Sequence, residues 1–281
     1  MIKTILVPVG SAGIKSPAFT ASVSLARTFT GHIDLLYARP DPITTAAVYP
    51  GALIPGMIEQ LQVAADREHA EALKAYLGAC ESEQIPTDIV GPGAGRVTAR
   101  WHRETGKVAK WVAAYGRTSD LLVVEHPSSG DPLIAEALEA ALFDSGRPVL
   151  VAALKPPSLE KVAIAWKSTR EAARAVTAAF PFLARAKQVV IISAAESGGI
   201  DRNETERLIT NLKRHHPAVE SLLLESASSD IGADLLMKAD QVQAGLLVMG
   251  AYSRPRMREL VFGGVTERVL RGANLSVLMT H

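Results

Sequence analysis

Cysteine, aromatic side chains, long apolar runs and net charge are all scarce in this 281-residue chain. The one cysteine, Cys80, excludes an intrachain disulfide framework and fits a reducing compartment. It falls on the apolar face of an expected helix, which makes it a packed thiol rather than a reactive one. No run of about 18 uncharged apolar residues occurs, so no membrane span is expected. The apolar part of Met1–Val9 is too short for a signal peptide. A formal net charge of +1 gives no general attraction to nucleic acid or to an acidic membrane. With 48% hydrophobic and 21% charged residues the chain is expected to fold, as a soluble cytoplasmic protein.

Several chemical signatures are missing too. A complete Walker pattern and a Gly-x-Gly-x-x-Gly fingerprint are both absent. Gly10-Ser11-Ala12-Gly13 does not supply the Ser-Gly-Gly-x-Asp-Ser loop of pyrophosphatase-type ligases. Glu125-His126 with Ser128, Ser129 and Asp131 brings acid, base and hydroxyl together, but no Gly-x-Ser-x-Gly elbow supports hydrolase chemistry. His215-His216 and Glu68-His69 lack a second ligand pair at metal spacing, so no metal site is expected.

What is present is a pattern written twice. In the first half, short apolar strands are expected at Thr4–Val9, Ile33–Ala38, Thr87–Val90, Leu121–Glu125 and Pro148–Ala153. Helices are expected near Ser16–Thr30, Ile58–Ser82, Val97–Tyr115 and Pro132–Phe143, with Trp101-His102-Arg103 and Trp111 on one amphipathic helix. The second half repeats the order, with strands at Lys161–Trp166, Gln188–Ser193, Val219–Leu224, Leu246–Gly250 and Leu275–Met279. Its helices fit Thr169–Ala184, Arg202–Arg214, Asp230–Val242 and Gly264–Arg271. Asp120–Val124 is matched with Ala244–Val248, and Ile5–Val9 with Val162–Trp166. This alternation predicts an α/β protein of two tandem, doubly wound, Rossmann-like five-stranded parallel sheets flanked by helices and packed as a pseudo-dimer. The domains expected are 1–154 and 155–281. Pro40–Gly56 is an insertion found only in the first half, a surface loop or a lid.

The most informative stretch follows the fourth strand of the second half. An apolar strand stops at Gly250, a basic loop carries Ser253, Arg254, Arg256 and Arg258, and Gly263-Gly264-Val265-Thr266 opens a short helix. Glycine lets backbone N–H groups approach a ligand, and a helix N-terminus favours anions, so the pattern suits a bound phosphate. It equally suits a tight turn and close helix–sheet packing, and both readings stand at this point.

Two such repeats, each ending in strand, loop, helix and strand, resemble a tandem universal stress protein over almost the whole chain. That family's nucleotide-binding members carry Gly-x2-Gly-x9-Gly-Ser/Thr after the fourth strand and an aspartate after the first. Gly250 and Gly263 match; Ser253 replaces the second glycine, Gly264 replaces the Ser/Thr, and Lys167 replaces the aspartate. In the first half Gly10 replaces the aspartate, and Glu125–Asp131 replaces the glycine loop with carboxylates that repel phosphate. The resemblance implies a non-enzymatic, cytoplasmic stress-response protein that is often a homodimer through its last strand. Any ATP or AMP would bind in the second half only, against Trp166, Lys167, Gly250, Ser253, Arg254, Gly263, Gly264, Val265 and Thr266. A ligand-free scaffold is the alternative, and a slow ATPase is a third reading.

Overall fold

A computed structural model describes residues 1–41, 55–87, 95–194, 202–224, 230–251 and 264–281. The first half runs β1 (Thr4–Pro8), α1 (Pro17–Phe29), β2 (His32–Arg39), α2 (Pro55–Ser82), β3 (Thr98–Thr105), α3 (Val108–Gly116), β4 (Leu121–Glu125), α4 (Pro132–Asp144), β5 (Val149–Ala152). The second runs β6 (Lys161–Trp166), α5 (Arg170–Leu183), β7 (Gln188–Ala194), α6 (Arg202–Leu212), β8 (Val219–Leu224), α7 (Ile231–Gln241), β9 (Leu246–Gly250), α8 (Gly264–Gly272), β10 (Ser276–Thr280). The expected insertion at 40–56 lies almost wholly outside the described residues.

The strands form one sheet in the order β3-β2-β1-β4-β5-β10-β9-β6-β7-β8. Each half contributes five parallel strands in the same relative order, and the halves join where β10 runs antiparallel to β5, with Leu278 opposite Leu150. The two sheets expected are therefore one sheet continued across a pseudo-dimer contact. β10 is bonded to β9 on one side and β5 on the other, so the contact expected for a homodimer through the last strand is made within the chain.

Continuous apolar runs such as Leu121-Leu122-Val123-Val124 are fully buried because helices cover both faces of the sheet. α1, α2, α5 and α6 cover one face, where Phe29 of α1 meets Phe182 of α5 edge-on at 5.3 Å across the join. α3, α4, α7 and α8 cover the other. Local chemistry sets the helix starts: Ser16 and Thr169 cap α1 and α5 by accepting from Phe19 and Ala172, and Asp230 caps α7 by accepting from Ala233. The Cys80 thiol is buried, and burial pushes it up to about 11.

Two sequence expectations fail, and a third falls mostly outside the described residues. Val97–Tyr115 is not one helix: Thr98–Thr105 is the edge strand β3, paired in register with β2, and only Val108–Gly116 is helical. Trp101 and His102 therefore point to opposite faces. Trp101 stacks on Tyr37 at 5.5 Å and His102 bonds Asp34 at 2.6 Å on the far side. Of the strand expected at Thr87–Val90, Thr87 makes an isolated bridge to Ala99, and 88–90 lie outside the described residues. Finally, the repeat alignment slips by one residue. Ile5 pairs with Leu121 and Val162 with Leu246, so Leu121 answers Leu246 rather than Gly245, and Glu125 answers Gly250. A one-residue shift moves every side chain to the other face, and only the corrected register puts Leu121 and Leu246 in the same core.

Candidate functional site

In an open α/β sheet a ligand crevice forms beyond the carboxyl ends of the strands where the order reverses. Here that point lies between β1 and β4 in the first half and between β6 and β9 in the second.

The first crevice is filled by its own side chains. The Asp131 carboxylate accepts from the Ser11 backbone N–H at 2.6 Å, in the loop after β1, and from the Leu133 N–H at 2.9 Å, at the start of α4. Burial alone would raise the Asp131 carboxyl, but the Ser11 and Leu133 amides, the Ser11 hydroxyl and the Arg39 charge hold it below the usual carboxylate range. A Cβ on Gly10 would stand 2.8 Å from the Asp131 Oδ2 and 2.7 Å from Ile134, so this glycine makes room for the plug rather than for a ligand. Arg39 closes the top, donating to the Val9 carbonyl at 2.9 Å and to Glu68 at 3.2 Å. Of the carboxylates that the sequence places in this loop, Asp131 is the one tied to the backbone amides at the end of the sheet.

Glu125, at the end of β4, is buried beside that plug. Burial, then the Asp131 charge, pushes its carboxyl up. Because the folded state holds the proton more tightly than the unfolded state does, stability falls as pH rises from about 4.5 through the raised value. Glu125→Gln removes that penalty. It is expected to melt higher than the parent at pH 7, with the difference closing as pH falls to about 4.5; equal melting at pH 7 would show that Glu125 carries no burden.

The second crevice is bordered by exposed polar and basic residues. Trp166 ends β6 half-buried, Lys167 and Ser168 follow exposed, and Thr169 caps α5. Exposed Arg170 and Arg174 lie on the first two turns of α5, and Arg174 donates to the His281 carbonyl at 3.1 Å. Neither arginine was singled out from sequence; a basic i, i+4 pair directly after a threonine cap is the signal that would have found them. Glu171, between them, is 4% exposed. The His281 ring packs edge-on against Phe143 of α4 at 4.8 Å, so the first half supplies one wall of this end.

Gly250 has a structural reason to be glycine. A Cβ there would lie 2.5 Å from the Ala172 nitrogen and 2.6 Å from the Glu171 carbonyl carbon, because the first turn of α5 rests on the end of β9. Gly264, in contrast, is exposed with nothing near its Cβ position among the described residues, and Thr266 is buried. Val265 is half-buried at the start of α8. Ser253, Arg254, Arg256, Arg258 and Gly263 lie outside the described residues. The structure therefore brings Trp166, Lys167 and Gly250 to one end of the sheet.

The histidines weighed as metal ligands in the sequence make local contacts. His216 bonds the Ala186 carbonyl at 2.9 Å and spans to Ala218, fixing the start of β7, and His215 packs on Phe180. His69 accepts from the Trp101 indole N–H at 3.2 Å. Among the described residues no group of three His, Cys, Asp or Glu is placed to hold a metal, and no helix is long and apolar enough to cross a membrane.

The profile of the Universal stress protein family matches residues 119–281, more than half of the chain. Among solved structures, a universal stress protein from Archaeoglobus fulgidus DSM 4304 superposes with a TM-score of 0.62 at 16% identity, over 99% of this chain and 95% of that one. A functionally unknown protein from Pseudomonas aeruginosa PAO1 superposes with a TM-score of 0.60 at 16% identity, over 99% of this chain and 92% of that one. At this identity the likeness is one of fold, and it extends through the first half, which the profile reaches only from Ser119. No match was found among curated proteins.

Proposed function

The chain belongs to the universal stress protein family, and on that premise we propose that its second half binds a phosphate-bearing ligand, with ATP or AMP as the leading candidates. It is a stress-response protein. The observation that carries the ligand reading is the charge around the start of α5. Exposed Lys167 precedes the Thr169 cap and exposed Arg170 opens α5, at the helix end whose dipole favours anions. An anionic ligand at this place would accept charge-assisted hydrogen bonds from both side chains. Lys167, Arg170 and the N–H groups opening α8 at Gly264 and Val265 are the groups that would hold the phosphates. The role is binding in the cytoplasm, not turnover, with the first half as a closed partner.

The scaffold reading has one specific observation in its favour. The contact of α5 on Gly250 accounts for the first glycine of the motif with no ligand at all. A melting series separates the two. ATP or AMP is expected to raise the melting temperature of the parent, and Lys167→Glu to weaken the affinity that the shift reports by about tenfold, roughly 1.4 kcal/mol. A melting temperature unmoved by millimolar ATP and AMP leaves the scaffold reading alone.

A further inference from the structure

The sheet ends in two edge strands, β3 and β8, and only one of them is guarded. On β3 the Ala99 N–H donates to the Pro86 carbonyl at 3.0 Å, Thr87 bridges Ala99, and exposed Arg100 and Arg103 carry charge along the strand. Cover and charge of this kind keep an edge from pairing with another chain. β8, Val-Glu-Ser-Leu-Leu-Leu, has little of either among the described residues. Glu220 is its one charge, it holds no proline, and its register with β7 runs unbroken from Val219 to Leu224.

The outward backbone groups of β8 follow from its pairing. Val189 of β7 stands opposite Val219, and its N–H donates to the Ala218 carbonyl at 2.9 Å. In a parallel ladder this turns the backbone of Glu220 and Leu222 toward β7. The N–H and C=O groups of Val219, Ser221 and Leu223 then face outward. None of these three residues has a partner for them among the described residues. Ser221 is exposed and Leu222 and Leu223 are half-buried, so a mostly apolar strand presents open donors and acceptors at alternate positions.

We propose that β8 docks on β8 of a second copy of this chain, antiparallel about a two-fold axis at Ser221. In that register Val219 lies opposite Leu223 and Ser221 opposite itself. Every outward group is then bonded, with about six hydrogen bonds in all. A slip along the strand in either direction leaves some of them unpaired. The flanking helix agrees in charge. Glu204, Leu208 and Asn211 of α6 border the groove against α5. Exposed Glu206 and Lys213, seven residues apart, share a stripe on the other side, and neither is ion-paired among the described residues. The axis runs the two α6 helices antiparallel and sets Glu206 of each copy toward Lys213 of the other. The join between the two halves already has this design, because β5 and β10 pair antiparallel with α1 and α5 in contact beside them. That join occupies the last strand, and the guarded β3 edges end the doubled sheet, so assembly closes at two copies. The edge lies away from the crevice beyond β6 and β9, and the inference does not rest on the ligand reading.

Sedimentation equilibrium of the full chain, together with oxidative cross-linking of cysteine variants, tests the assignment. The parent is expected to form a dimer at micromolar concentration. Ser221→Pro should weaken that dimer by about tenfold or more while melting like the parent monomer, because the Ser221 N–H makes no bond inside the fold. Glu206→Lys and Lys213→Glu should each weaken it several-fold, and the double variant should restore it. Ser221→Cys should link two copies on mild oxidation, since residue 221 faces itself across the axis. Leu223→Cys should not, because its counterpart lies about 13 Å along the ladder. Cys80 is buried and stays out of the reaction. A parent that stays monomeric up to high micromolar concentration overturns the proposal, as does a dimer unchanged in Ser221→Pro. Cross-linking of Leu223→Cys as efficient as that of Ser221→Cys also overturns it, and so does a double charge variant no tighter than either single one. Should Ser221→Pro melt early, the charge exchange and the cross-linking pattern decide without it.

Discussion

Phe182→Ala is expected to destabilise the whole protein by about 3–5 kcal/mol, the usual cost of emptying a buried phenylalanine site. For a chain of this size that lowers the melting temperature by on the order of 10 °C. The reason lies in where the ring sits. Phe182 is fully buried near the end of α5 and meets Phe29 of α1 edge-on, with the planes at 81°. The Arg185 guanidinium then covers Phe29 at 4.5 Å from the ring centroid. The aromatic contact therefore belongs to both halves, as does the β5–β10 pairing beside it. A cavity at this place weakens the contact between two repeats that share one sheet. Both halves are expected to melt together in the variant as in the parent. Trp101 and Trp111 report the first half and Trp166 the second, so single-tryptophan versions followed by fluorescence can tell. Two separate transitions, with the first-half signal unmoved by Phe182→Ala, would show the halves to be thermodynamically independent.

The parts of the fold legible in the sequence were those where one local rule dominated. β1, β4 and β9 are short Ile/Val/Leu runs bounded by turn residues, and helices now cover both of their faces. The helices expected from Ser16, Thr169 and Asp230 begin at those residues, each of which proves to cap its helix through its own side chain. β3 was misread because an edge strand has to carry polar groups. In Thr98–Thr105 the charged residues Arg100, Arg103 and Glu104 break the apolar alternation, and Trp101, Val108 and Trp111 fall at spacings that imitate a helix. Tertiary packing decides for the strand, since Trp101 fills the space beneath α2 beside Tyr37 and Tyr76. The slipped alignment of Asp120–Val124 has another cause. Both fourth strands contain Leu-Leu-Val, which matches itself at neighbouring offsets, and only the pairing with β1 and β6 fixes the register. At the candidate site, the sequence reading named Gly250 and Lys167, and the structure places both at one end of the sheet. That reading passed over Arg170 and Arg174, because exposed basic residues on the first turns of a helix read as an ordinary solvated face.

Gly250 and Gly264 belong to the same apparent glycine motif and are expected to respond oppositely to substitution. Gly250→Ala drives a methyl group to 2.5 Å from the Ala172 nitrogen and 2.6 Å from the Glu171 carbonyl carbon, and both are backbone atoms that no rotamer change can move aside. Either α5 lifts from β9 or the end of β9 bends, and overpacking of this kind costs about 1–3 kcal/mol, more where backbone is met directly. A lifted α5 also loosens the Thr280 hydroxyl bond to the Glu171 carbonyl. Gly264→Ser meets nothing within 4 Å among the described residues at the first residue of α8, so its stability should stay within about 0.5 kcal/mol of the parent. It adds a hydroxyl at the mouth of that helix, where a bound phosphate would accept from it. Thermal melting, followed by AMP titration of whichever variants fold, reads both effects. If Gly250→Ala melts like the parent but no longer responds to AMP, the glycine serves a ligand and its packing role is wrong. If it melts early and Gly264→Ser binds AMP more tightly than the parent, then Gly250 holds α5 in place while the helix mouth at Gly264 is what meets the phosphate.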